Sequence, residues 1–149
     1  MFCQSGTSVL YPMTADIYYP IVDQNAYGQV TKRWVLDRTV VCFFGPASAG
    51  AKEDLVANAN ITIDNVLLGR VPEDLTQSSR NSVNSFTNIV ITNIKDSAGN
   101  IVYNESSGPR AGKATVYEIA SFTPIVGAFR KTEFFKTVIR RSENQAVDL

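Results

Sequence analysis

The stretch that decides the fold is residues 16–44, DIYYPIVDQNAYGQVTKRWVLDRTVVCFF, which predicts a long antiparallel β-hairpin. Two arms rich in β-branched and aromatic residues, 16–22 and 29–44, flank a polar segment. In that segment Asn25 and Gly28 tolerate the positive φ that a chain reversal requires. No reacting group lies in the stretch, so the sequence directs attention to surfaces rather than to chemistry.

Length and composition indicate one soluble domain. The chain has 149 residues, of which 44% are apolar and 19% charged, and no apolar run is long enough to span a membrane. The opening residues lack the basic and apolar regions of a signal peptide. The two cysteines, Cys3 and Cys42, are too few for a disulfide framework and fit a reducing compartment, where both stay free.

Charge and histidine content argue against an enzyme. The 14 basic and 14 acidic residues cancel, so the chain as a whole gives no electrostatic reason to bind nucleic acid. The absence of histidine removes the commonest general base and the commonest metal ligand. We therefore expect no catalytic residues, no metal and no cofactor.

The rest of the chain reads as strands separated by loops, with no sustained helical periodicity. The second most distinct feature is a hairpin whose turn, residues 96–100 (DSAGN), places Gly99 where a positive φ is needed. Alternating or β-branched runs predict further strands at 60–71, 86–95, 101–105, 113–122 and 130–140.

This order predicts an all-β fold, either a small antiparallel barrel, closed or partly closed, or a sandwich. The domain spans residues 16–141, between an N-terminal arm at 1–15 and a polar C-terminal tail at 142–149. Long loops are expected at 45–59 and 72–85, since small and polar residues dominate both segments.

Adjacent aromatic residues occur three times within the predicted strands. Because neighbouring strand residues point to opposite faces, both faces of these strands would be apolar, and the outward residue of each pair needs cover. A neighbouring subunit could supply that cover, and so could a loop or the arm of the same chain. Trp34, the only tryptophan, is either a core anchor or a contact with a neighbour. The residues predicted at an interface are Tyr18, Tyr19, Tyr27, Trp34, Phe43, Phe44, Phe134 and Phe135.

Four segments, IYYP (17–20), NAYGQVTKRWVLDRTVVC (25–42), ATVYEIASF (114–122) and FFKTVIRRSE (134–143), resemble in this order the head-closure or stopper family of tailed-bacteriophage neck proteins. That family has an aromatic-Gly turn after an opening strand, followed by a strand that bears a Trp. The four segments make up a little more than a quarter of the chain. More loosely, the whole chain resembles small neck proteins of large contractile-tailed phages, including those that infect cyanobacteria.

The resemblance implies a virion protein, assembled in the host bacterial cytoplasm, that forms a ring of six in the phage neck. Such a ring closes the portal channel after DNA packaging and provides the platform for the tail. Its partners would be copies of itself, a portal or adaptor ring above, and a tail terminator or tail tube ring below. Packaged DNA would pass through the channel without sequence-specific binding, and no membrane would be involved.

Two parts of the chain, residues 1–15 and residues 45–85, extend beyond the pattern of that family. We expect loop 72–85 to face the channel or clasp a neighbour, and its candidate residues are Glu73, Asp74, Leu75, Arg80 and Val83. Two alternatives stay open. One is a tail terminator or sheath-attachment ring; the other is a free β-barrel that binds single-stranded nucleic acid through Lys131, Lys136 and the aromatic residues between them.

Overall fold

The computed structural model describes residues 10–46, 66–76, 89–145 and 149, and they form one closed antiparallel β-barrel. The order of hydrogen-bonded neighbours around the barrel is β1-β2-β3-β6-β5-β4. The all-β prediction is confirmed, and the barrel rather than the sandwich is the architecture. None of the described residues belongs to a helix long and apolar enough to cross a membrane. The strands are β1 (Met13–Gln24), β2 (Val30–Pro46), β3 (Val66–Val71), β4 (Val90–Lys95), β5 (Tyr117–Val126) and β6 (Thr132–Arg141).

The opening hairpin is confirmed and is longer than predicted. Strands β1 and β2 pair from Met13 opposite Cys42 to Gln24 opposite Val30, so the barrel takes in the end of the predicted N-terminal arm. In the turn only Gly28 has a positive φ, of 81°. Asn25 instead accepts hydrogen bonds at its side-chain oxygen from the backbone N–H groups of Tyr27 and Gln29.

Two sequence predictions in the second half of the chain need correction. Residues 101–105 form isolated bridges, Lys95 with Ile101 and Asn104 with Ala114, and not a strand. The predicted strand 113–122 is displaced toward the C-terminus, because β5 is Tyr117–Val126 and includes Pro124, which lies opposite Phe135. The proline is tolerated because β4 pairs with β5 only at Val90 and Ile91, which leaves that edge of Pro124 without a ladder partner among the described residues.

The predicted polar tail begins by packing on the barrel. Ser142 and Gln145 are buried, and the Gln145 side-chain amide binds both the N–H and the carbonyl of Val116. Val116 N–H donates to Gln145 Oε1 at 3.0 Å, and Gln145 Nε2 donates to the Val116 carbonyl at 2.9 Å. Gln145 thus gives the Val116 N–H its partner just before β5, while the Val116 carbonyl also accepts a hydrogen bond of 2.9 Å from the Ser142 N–H.

The core fills the inside of the barrel with alternate residues of all six strands. Cys42 is among them, and burial raises the pKa of its thiol to about 12. The main buried cluster comprises Ala15, Ile17, Tyr19, Val40, Cys42, Phe44, Leu67, Val71, Leu75, Ile89, Ile91, Ile94, Tyr117, Ile119 and Ile139.

Strand direction sorts the connections between two ends of the barrel. Because neighbours are antiparallel throughout, β1, β3 and β5 all run toward one end, here called the upper end. The turns of the β1–β2 and β5–β6 hairpins and the segment after β3 therefore lie at the upper end. The turn at 96–100 and the loop before β5 lie at the lower end.

Candidate functional site

The outer face of the β1–β2 hairpin carries four apolar residues that the core does not use, here called the outer stripe: Tyr18, Pro20, Trp34 and Leu36. Tyr18 lies opposite Leu36, and Pro20 lies opposite Trp34, so the four form two adjacent cross-strand pairs. Leu36 is 43% exposed, and the other three are half-buried. Burial and the nearby Asp16 carboxylate raise the pKa of the Tyr18 phenol, so the hydroxyl stays neutral near pH 7.

The outer stripe exists because of a β-bulge in β2. Ile17 is opposite Arg38, but the next residue, Tyr18, is opposite Leu36, so Asp37 is the extra residue. The bulge lets Leu36 and Trp34 share the outer face with Tyr18 while Tyr19 continues the inward row. The interface prediction contains aromatic residues only, and it therefore leaves out Pro20 and Leu36.

The two long hairpins end in exposed aromatic residues at the upper end. Tyr27 is 96% exposed in the β1–β2 turn, and Phe129 is 87% exposed in the β5–β6 turn. Val30 and Val126, the strand residues beside each turn, are also exposed. Isolated exposed apolar residues are ordinary, but two aromatic tips at one end of a barrel concentrate contact area there.

The doubled aromatic residues divide between inside and outside, as alternation requires. Tyr19 and Phe44 point into the barrel and are buried, so their prediction as interface residues is wrong. Phe135 also faces inward and stacks on Phe122, with ring centroids 4.6 Å apart and planes within 4°. Phe134, next to it, is half-buried on the opposite face.

Phe43 points outward and is covered by its own chain. The Arg70 guanidinium lies over the Phe43 ring at 5.0 Å and over the Tyr11 ring at 6.0 Å. Arg70 Nε and Nη2 also donate to the Leu10 carbonyl, at 3.3 and 3.2 Å. The segment before β1 is thereby fastened to the outside of β2 and β3, and cover from the same chain is the correct interpretation for Phe43.

Loop 72–85 begins as part of the barrel. Leu75 is fully buried in the core cluster, and its carbonyl accepts a hydrogen bond of 2.6 Å from the Tyr19 hydroxyl. The prediction that Leu75 faces a channel or a neighbour is therefore wrong. Arg80 and Val83 lie outside the described residues.

Arg38 fastens the same loop from β2. Its Nε binds the Glu73 carboxylate at 3.0 Å, its Nη2 donates to the Asp74 carbonyl at 2.9 Å, and its Nη1 binds Asp37 at 2.7 Å. The Asp37 carboxylate is almost fully buried, so the bulge residue serves to hold the guanidinium. Glu73 and Asp74 are thus engaged within the chain, where the sequence predicted a partner or a channel.

At the lower end a cleft of about 290 Å³ is lined by Tyr103, Tyr117, Glu105 and Arg141 among others. Arg141 Nε binds the Glu105 carboxylate at 2.6 Å, so the two charges compensate each other. Burial raises the pKa of Tyr117 to about 12, and its hydroxyl is not poised to act as a base. Within the described part of the chain, no group of three or more acidic, cysteine or histidine residues could hold a metal ion.

The basic residues of β6 and its turn, on which the nucleic-acid alternative depends, fall into two groups. Arg140 and Arg141 pair with Glu118 and Glu105 at 3.5 and 2.6 Å. Lys131 and Lys136 are exposed, and no carboxylate of the described residues forms an ion pair with either. Any anion-binding capacity of this hairpin therefore lies toward its tip.

Comparisons with known proteins support the fold and leave the function open. No protein-family model matches the chain, and no curated protein matches it. Among solved structures, the chain is similar to protein SF1141 from Shigella flexneri 2a, a structural genomics target studied in solution. The TM-score is 0.51 and the sequence identity is 16%, and the similarity covers 91% of this chain and 96% of that one. At that identity the likeness concerns the fold alone.

Proposed function

We propose that this protein is a non-enzymatic structural subunit of the neck of a tailed bacteriophage, where it forms the head-closure ring. Copies of the chain assemble into a ring, with six as the expected number, between a portal or adaptor ring and a tail terminator or tail tube ring. The ring closes the channel after DNA packaging and offers the tail its docking platform. In this proposal the protein resides in the virion.

The outer stripe is the observation that carries the proposal. The barrel core is already filled by inward residues, so Trp34 and Leu36 add nothing to its interior. An aromatic and aliphatic surface on a β-hairpin has the composition of the buried centre of a protein interface. A ring subunit needs such a surface on its flank, because each copy must contact the next one.

The upper end supplies a second kind of surface. Tyr27 and Phe129 project from the turns of two long hairpins, whereas the stripe lies on the side of one of them. A subunit with lateral and terminal contact surfaces suits a layer that meets copies of itself sideways and other rings above or below. A tail terminator or sheath-attachment ring would use the same two surfaces and is the nearest alternative.

The test compares assembly of the natural chain with that of a Trp34→Ser, Leu36→Ser double variant. Native mass spectrometry and electron microscopy of the chain, alone and within assembled particles, would show whether it forms a ring at the neck. The double variant should remain folded but lose ring formation and particle incorporation. Ile101→Ser is the matched control, because Ile101 is 36% exposed at the lower end. Location of the chain outside the neck, or normal rings from the double variant, would refute the proposal.

A further inference from the structure

Three turns of the barrel share one hydrogen-bond pattern, and one of them departs from the sequence that the pattern favours. In the turns at 25–29, 96–100 and 127–131, the first N–H donates to the fifth carbonyl and the fourth N–H donates to the first carbonyl. In each turn the fourth residue has a positive φ: 81° at Gly28, 85° at Gly99 and 60° at Arg130. Two turns therefore place glycine where the backbone is left-handed, and the third places an arginine.

The third turn also lacks the usual first residue. Asn25 and Asp96 each accept two backbone hydrogen bonds at a side-chain oxygen within their turns. Gly127 has no side chain with which to do so. A Cβ atom at this position would overlap the carboxylate of Glu133, so the space is already occupied. The 127–131 turn therefore lacks two features of the other turns, a glycine at the fourth position and a side-chain oxygen that accepts hydrogen bonds at the first.

The residues that the third turn displays are Phe129, Arg130 and Lys131. Phe129 is almost fully exposed, and both basic residues are exposed. Within the described residues, carboxylates pair with Arg38, Arg140 and Arg141, but none lies within 4 Å of Arg130 or Lys131. Backbone conformation would favour glycine at 130, and a role of the Arg130 side chain outside the fold would account for the arginine there.

We propose that the 127–131 turn binds the backbone of a nucleic acid, with Arg130 and Lys131 on phosphates and Phe129 stacked on a base or sugar. Adjacent basic residues next to an exposed aromatic ring are the combination that non-sequence-specific nucleic-acid binding uses. Binding of this kind requires the turn and not the ring, so it is independent of the proposed function. It would add a nucleic-acid ligand at the upper end of the barrel.

The experiment measures binding of fluorescent oligo(dT) and of a fluorescent DNA duplex by anisotropy, over a range of salt concentrations. The decisive variant is Arg130→Gly, which relieves the left-handed arginine while removing its charge. Its midpoint of thermal unfolding should rise by a few degrees, so lost binding cannot be ascribed to misfolding. Lys113→Ala is the charge-matched control, because exposed Lys113 lies at the lower end.

Loss of one phosphate contact has a defined signature. The slope of log affinity against log salt should become shallower by about 0.7 for the single strand and about 0.9 for the duplex. The same relation predicts about an eightfold loss of affinity for oligo(dT) at about 50 mM salt. Lys113→Ala should leave the slope unchanged, and Phe129→Ser should weaken the single strand more than the duplex.

Several outcomes would overturn the inference. One is that the natural protein binds neither DNA at about 50 mM salt, where phosphate contacts are strong. Another is that Arg130→Gly binds as the natural chain does, or that it unfolds at a lower temperature. A third is that unlabelled poly-glutamate displaces DNA as well as unlabelled DNA does, which would assign the turn to an acidic protein partner. A ring that forms at the neck without binding DNA would overturn this inference and leave the proposed function standing.

Discussion

Replacement of Leu75 by alanine should destabilise the barrel severely, although the sequence around Leu75 reads as an exposed loop. Its side chain is fully buried in the main core cluster. The backbone beside it is fastened by the Tyr19 hydroxyl at 2.6 Å and by Arg38 Nη2, which donates to the Asp74 carbonyl at 2.9 Å. Because the loop is held at these points, it cannot collapse into the space that the shorter side chain leaves.

The expected cost follows from that restraint. Buried Leu→Ala replacements cost about 2–5 kcal/mol, and the cost rises when the cavity cannot close. We therefore expect Leu75→Ala to lower the free energy of unfolding by about 3–4 kcal/mol. With a denaturant slope of about 1.5–2 kcal/mol/M, the urea midpoint should fall by about 2 M. Circular dichroism of the two proteins in urea would measure both quantities.

Leu36→Ala provides the matched control, because it makes the same chemical change at a residue of the outer stripe that is 43% exposed. It should cost less than about 1 kcal/mol. A Tyr19→Phe variant and the double variant with Leu75→Ala complete a cycle, in which the two changes should be coupled since they share one contact. Equal midpoint shifts for Leu75→Ala and Leu36→Ala would refute the assignment of the loop to the core and restore its interpretation as a channel loop.

Two further predictions concern the core and the tail. Because burial raises the Cys42 pKa from 9.0 to about 12, its stabilising contribution is complete below pH 9 and is lost as pH rises toward 12. The loss is about 1.4 kcal/mol per pH unit, and Cys42→Val should flatten this alkaline decline in urea titrations. Gln145→Leu should cost about 1–3 kcal/mol and speed hydrogen exchange at Val116, whose N–H loses its partner. Glu143→Ala, at an exposed neighbour, should change neither stability nor exchange.

Sequence reasoning succeeds here where the determinants are local. The opening hairpin is confirmed because its two arms carry strong β-forming residues on either side of one turn that Gly28 can close. The turn at 96–100 is confirmed for the same reason, with Gly99 at a φ of 85°. In both places the residues that decide the conformation are neighbours in the chain.

Prediction from the sequence is wrong where contacts between residues far apart in the chain determine the structure. The polar surroundings of Leu75 and Gln145 predict exposure, but contacts with distant parts of the chain bury both. The Leu75 side chain packs in the main core cluster, and the Gln145 side chain binds the Val116 backbone. The pairing of residues across the barrel cannot be read from either segment alone. Pro124 is a case in which the local sequence predicts a turn but the structure has a strand. The strand tolerates the proline because one edge of β5 has no ladder partner there among the described residues.

The candidate site depends on both kinds of determinant. The sequence predicts both Tyr18 and Tyr19 at an interface, but Tyr19 points into the barrel core, and the bulge at Asp37 keeps Tyr18 beside Leu36 on the outside. Tyr19 thus belongs to the core, and its neighbour Tyr18 belongs to the outer surface. Under the proposed ring function, polar substitutions in the outer stripe should therefore affect assembly far more than folding, whereas Tyr19→Ala should unfold the barrel. This separation makes the stripe testable on its own, since a chain altered there still presents the same barrel to any partner.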